Sequence, residues 1–149
     1  MFSGGNGLIV AVLIFPALWT AIYCTKEHDA YNLDPEGIRG AFEPFLSKYL
    51  RISEFIIGLA TGSIVLLVGS SALRGTIGRV PPEYASPLFL LASCVGYGIG
   101  FMVWLTYHYE EYQHGAKHTK IAYTLSLTLG FSSLLCFFVG YVWLIAKVT

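Results

Sequence analysis

Four apolar stretches without a single Asp, Glu, Lys or Arg dominate this chain: Gly7–Cys24, Phe55–Leu73, Ser86–Tyr107 and Ile121–Ala146. Together they take up more than half of its 149 residues. A helix rising 1.5 Å per residue needs roughly 20 apolar residues to cross about 30 Å of hydrocarbon, and each stretch reaches or approaches that length. The chain therefore reads as one domain, residues 1–149, of all-α class with four transmembrane helices. At this length there is no room for a separate soluble module.

Charge narrows the classes further. The formal net charge is zero and only 12% of residues are charged, which gives no basis for a nucleic-acid partner. The leader Met1–Asn6 carries no basic residue, so the first stretch is read as a retained helix and not as a cleaved signal. Pro16 within it removes a backbone donor and predicts a kink there. Cys24, Cys94 and Cys136 show no C-x-x-C spacing and are read as small apolar packing residues, with no metal site. His28, His108, His114 and His118 all lie in or beside loops. Axial haem ligation across a bundle interior requires a different placement.

The polar segments carry most of the information about function. Loop one, Thr25–Ser53, contains a turn at Asn32–Gly37, where Pro35 fixes φ and Gly37 permits left-handed geometry. A helix is expected over Ala41–Ser53, running straight into the second span. Loop two, Arg74–Tyr84, is stiffened by Pro81-Pro82. Loop three, His108–Lys120, is expected to prolong the third helix and then turn at Gly115. Lys26, Arg39, Lys48, Arg51, Lys117 and Lys120 fall on the side of loops one and three, against Arg74, Arg79 and Lys147 on the other. That bias places loops 25–53 and 108–120 in the cytoplasm and both termini on the opposite side. Gly58, Gly62 and Gly69 share one helix face, and Gly96 and Gly100 form a second G-x-x-x-G pair; such spacing lets membrane helices pack closely.

Two clusters could carry chemistry. Arg51 and Glu54 stand three residues apart at the mouth of span two, where they share a helix face. They form either an interfacial ion pair or half of a polar ligand pocket. At the end of span three, Trp104, His108 and Tyr112 make one stripe at spacing four, and Leu105 and Tyr109 make the next. An aromatic belt at the membrane interface accounts for this pattern; the alternative is a site between helices, open to the cytoplasm.

The order of these parts resembles the MAPEG family, the membrane-associated proteins of eicosanoid and glutathione metabolism. Arg51-Ile52-Ser53-Glu54 is similar to the family's Asn-x-x-Glu pattern at the start of span two, with Glu54 in the Glu position. Tyr107–Lys117 is similar to its Tyr-rich exit from span three. Arg51 stands where the family has Asn, and Ser47 where it has the preceding Arg. The resemblance implies a left-handed up-down bundle, assembled as a homotrimer, with glutathione as cofactor. The implied activity is a glutathione-dependent transferase or peroxidase acting on lipophilic electrophiles that enter from the membrane lipid. Arg51, Lys120 and Tyr112 would carry catalysis, and Arg51, Glu54, His108, Tyr109, Tyr112 and Lys117 would bind glutathione. The alternatives are a non-catalytic lipid-binding or scaffolding membrane protein, and a small transporter or complex subunit.

Overall fold

The computed structural model describes residues 5–25, 43–70, 81–114 and 119–148. These residues form four helices, α1 (Gly5–Thr25), α2 (Glu43–Gly69), α3 (Ala85–Gln113) and α4 (Lys120–Val148), and no strand occurs among them. All four are long and apolar enough to cross a membrane. The turn expected at Asn32–Gly37 and the one at Gly115 lie outside the described residues.

Local chemistry explains several of the helix ends. Pro44 sits in the first turn of α2, where a missing N–H costs no intrahelical bond. From Glu43 that helix is continuous with the second span, as the sequence leads one to expect. Before α3, Pro81-Pro82 leads into a 3-10 turn over Pro82–Tyr84, closed by a bond from the Tyr84 N–H to the Pro81 carbonyl at 3.1 Å. Thr119 caps α4, its Oγ1 accepting from the Ala122 N–H at 3.2 Å. The first helix runs on through Pro16, and the Thr20 hydroxyl below donates to the carbonyls of Pro16 and Ala17.

The contacts define an up-down arrangement. Gly7 of α1 meets Ser86 of α3, so those two helices run parallel. Along α3 and α4, Trp104 meets Ala122, Cys94 meets Ser133 and Leu90 meets Gly140, which makes that pair antiparallel. Leu50 of α2 packs with Phe101 and Leu105, and Ala60 with Leu90, Leu91 and Cys94, so α2 is antiparallel to α3. The α3–α4 interface is the most extensive. The first helix leans on both, while α2 packs on α3, barely touches α4 and does not meet α1. Accordingly, 33% of the α3 span is buried but only 6% of the α2 span.

Small and hydroxylated side chains mediate the packing, as expected where lipid removes the hydrophobic drive between helices. Thr124, Thr128 and Ser132 recur every four residues on the buried side of α4. The Thr128 and Ser126 hydroxyls donate back to the carbonyls of Thr124 and Ala122, which satisfies them within the helix. Polar clasps join the helices: Tyr97 Oη to the Ala11 carbonyl (2.9 Å), Ser133 Oγ to the Cys94 carbonyl (2.9 Å), and Ser63 with Tyr141 (2.8 Å).

Two expectations need correction. Within the chain the most closely packed glycines are Gly7, against the Ser86 backbone, and Gly98 and Gly140, against the side chains of Ile57 and Leu90; at Gly58, Gly62, Gly69 and Gly96 an added Cβ would meet no atom within 4 Å. Spacing identified a face able to pack closely, but not whether a helix of the same chain occupies it. Cys94 and Cys136 are buried packing residues, as expected, whereas Cys24 is exposed near the end of α1.

Candidate functional site

The poor contact between α2 and α4 leaves a cavity of about 250 Å³ beside α3. Tyr49, Ile52, Ser53 and Ile56 wall it from α2, Phe101 from α3, and a stretch of α4 between Ser126 and Leu134 from the far side. Tyr49, Ile52 and Phe131 at its lips are exposed, so the cavity communicates with the surface that faces lipid. Its depth comes from residue size: Ser126, Gly130 and Ser133, at helical spacings of four and three, hollow one face of α4. Opposite Gly130 lies the Phe101 ring, 3.4 Å from where a Cβ would stand.

The lining is apolar with three serine hydroxyls. Two are engaged, Ser126 with the Ala122 carbonyl and Ser133 with the Cys94 carbonyl, though each oxygen can still accept. Ser53 is half-buried and makes no hydrogen bond with a described residue, so it can both donate and accept inside the cavity. Mostly apolar walls with a few convergent polar atoms are the usual character of small-molecule sites, and the volume falls just below their ~300–1,000 Å³ range, which suits a slender ligand.

A second cluster closes the end of the bundle where α3 finishes and α4 begins. His108 Nδ1 lies 3.1 Å from a Glu111 carboxylate oxygen, and the His108 ring packs edge-on against Trp104 at 4.4 Å. The other Glu111 oxygen accepts from the Tyr107 hydroxyl at 2.9 Å. Trp104 in turn donates its indole N–H to the Ala122 carbonyl of α4. Nearby on the same end, the Lys120 ammonium stands 5.2 Å from the centre of the Tyr23 ring and ties α4 to α1.

The residues singled out from the sequence thus have distinct surroundings. Arg51 and Glu54 are exposed on the side of α2 turned away from the cavity, and no ion pair joins them. His108 is held by Glu111 and Trp104, Tyr109 packs against Phe101 and Leu105, and Lys120 lies over Tyr23. All five belong to the end of the bundle shared by the finish of α1 and α3 and the start of α2 and α4. The Tyr112 side chain and Lys117 lie outside the described residues. Sequence reasoning missed Ser53, Ser126, Gly130 and Ser133. Their signal was available: small residues at spacings of four and three inside an otherwise bulky, apolar span. No protein-family model, curated protein or solved structure matches the chain.

Proposed function

We propose that this protein is a multi-pass membrane protein that binds a lipophilic molecule between α2, α3 and α4. The ligand class is a slender apolar chain bearing one oxygen function, a carbonyl or hydroxyl, that meets Ser53. The carrying observation is the 250 Å³ cavity walled by Ile52, Ile56, Phe101 and Leu134, with the Ser53 hydroxyl half-buried in its side. Such a ligand reaches the cavity laterally from the bilayer past Tyr49 and Phe131. The loop-one and loop-three end lies in the cytoplasm in this reading, by the same excess of Lys and Arg. Native mass spectrometry of gently extracted protein is expected to show one lipophilic adduct per chain. Gly130→Leu, which fills the cavity against Phe101, is expected to lose it. An adduct unchanged by Gly130→Leu, with the fold intact, would place the ligand elsewhere.

A second reading has its own support. Arg51 and Glu54 sit exposed on one helix at the same end as Lys120 and Tyr109, as a glutathione-dependent transferase or peroxidase of the MAPEG kind requires. There the cationic groups would favour the thiolate and Glu54 would hold the glutathione ammonium. A left-handed bundle and a homotrimer, with a neighbouring chain completing the site, belong to that reading. Calorimetric titration with reduced glutathione separates the two: saturable heat favours the transferase, and its absence from folded protein leaves the lipophile-binding reading.

A further inference from the structure

The hydroxyl hydrogens of two of the cavity's serines are already committed, and that commitment narrows what the cavity can hold. Ser126 and Ser133 are buried, and each has one hydrogen to give. Ser126 gives it to the Ala122 carbonyl at 2.9 Å and Ser133 to the Cys94 carbonyl at 2.9 Å. Toward the cavity both therefore offer lone pairs alone. Ser133 has a further neighbour in the Cys94 sulfur at 3.5 Å; with the serine hydrogen engaged, the thiol is the donor of that contact. Ser126 makes no other hydrogen bond with a described residue, so its acceptor side is open. On the facing wall, Ser53 keeps both its hydrogen and its lone pairs.

Ser53 and Ser126 also match in depth. The Ile57 side chain of α2 and the Ser133 hydroxyl of α4 lie 2.8 and 3.1 Å from where a Cβ of Gly98 would stand, which fixes the register of α2 against α4. Ser53 is one helical turn back from Ile57 and Ser126 two turns back from Ser133, so the two hydroxyls stand within roughly 5 Å of one another in depth. Among the described residues the lining includes no Lys, Arg or His. The Tyr49 phenol, at the exposed lip, can donate to any oxygen that enters and does not discriminate.

We propose that the ligand is a neutral alkyl alcohol, whose hydroxyl accepts from Ser53 and donates to Ser126. This deepens the lipophile-binding reading and rests on it. Facing Ser53 alone, an alcohol makes one bond at a time, in either direction, which is all that a ketone or an ether makes there. Ser126 changes the comparison: it takes the ligand's own hydrogen while Ser53 gives one, so the alcohol completes two bonds where a carbonyl completes one. A carbonyl oxygen turned toward Ser126 sets two acceptors against each other. An ionised carboxylate brings a charge into an apolar site with no cation to receive it. A fatty acid fits in its neutral form, whose O–H donates as the alcohol's does.

Competition against a diazirine-bearing alkyl ketone, with the full chain in lipid nanodiscs, is the test. A ketone label bonds to Ser53 and not to Ser126, so its own uptake is expected to be unchanged in Ser126→Ala. The competitors are 1-decanol, its methyl ether and 2-undecanone, with concentrations taken per mole of lipid. Ser126→Ala is expected to weaken 1-decanol by about three- to tenfold, the range of one neutral hydrogen bond, and to leave the ether and the ketone unchanged. Because the Ser126 hydroxyl bonds only within its own helix, the variant is expected to keep its helical circular dichroism. Where it fails to fold, the wild type decides: 1-decanol is expected to displace the label at least threefold more strongly than 2-undecanone. An equal fall for all three competitors, no fall for 1-decanol, or a wild type that does not prefer the alcohol to the ketone would overturn the hydroxyl assignment while leaving a lipophile site in place. If no competitor displaces the label from the wild type, the lipophile-binding reading fails and this proposal with it.

Discussion

Neighbouring serines on α4 have opposite roles. Ser133 turns toward α3 and donates to the Cys94 carbonyl, with the Cys94 sulfur 3.5 Å away. Ser132 is fully buried, and its hydroxyl finds no hydrogen-bond partner among the described residues. Losing an interhelical hydrogen bond within a membrane typically costs about 0.6–2 kcal/mol, so Ser133→Ala is expected to destabilise by about that amount. Ser132→Ala removes an unsatisfied buried hydroxyl and is expected to be neutral or to stabilise by up to about 1 kcal/mol. Reversible unfolding in mixed micelles measures both, and equal losses for the two variants would contradict this assignment. From sequence alone the two serines are indistinguishable, because one-residue steps around a helix decide which of them meets α3.

At the scale of elements, the existence of the spans was legible and their faces were not. A stretch such as Ser86–Tyr107 lacks charge throughout and has to cross lipid, which fixes its type. In water, apolar periodicity would then mark the buried side. In a bilayer both the core and the surroundings are apolar, so bulky residues such as Leu90 and Phe89 follow one another in sequence while one is buried and the other faces outward. The cue that survives is residue size. Gly7 illustrates it: a Cβ there would strike the Ser86 backbone, which cannot move aside as a side-chain tip can. Gly7→Ala is therefore expected to destabilise by roughly 1–3 kcal/mol through overpacking, visible as a lowered thermal midpoint. An unchanged midpoint would mean that α1 and α3 do not meet there. The second helix was readable as a continuous rod carrying Arg51 and Glu54 into its span, yet nothing in its sequence said that those charges would face outward while Ser53, between them, turned inward.

Across the whole molecule, α3 and α4 form the fixed centre and α2 is a flank held by one side. That asymmetry creates the feature on which the functional account rests. Because α2 leans on α3 and hardly reaches α4, a cavity remains between them. It could not be read from the sequence, since it depends on how far apart two helices stand. The residues selected from the resemblance, Arg51, Glu54, His108, Tyr109 and Lys120, do gather at one end of the bundle, but in separate local environments.

Photolabelling with a diazirine-bearing fatty acid, in nanodiscs and with peptide mapping, tests the central claim most directly. Binding in the cavity predicts that label concentrates on the inward face of α2 around Ile52–Ile56 and on α4 around Leu127–Leu134. It also predicts that unlabelled fatty acid competes it away and that Gly130→Leu abolishes it. Label spread evenly over the exposed faces of all four helices, insensitive to competitor and to Gly130→Leu, would contradict a lipophile site in this protein.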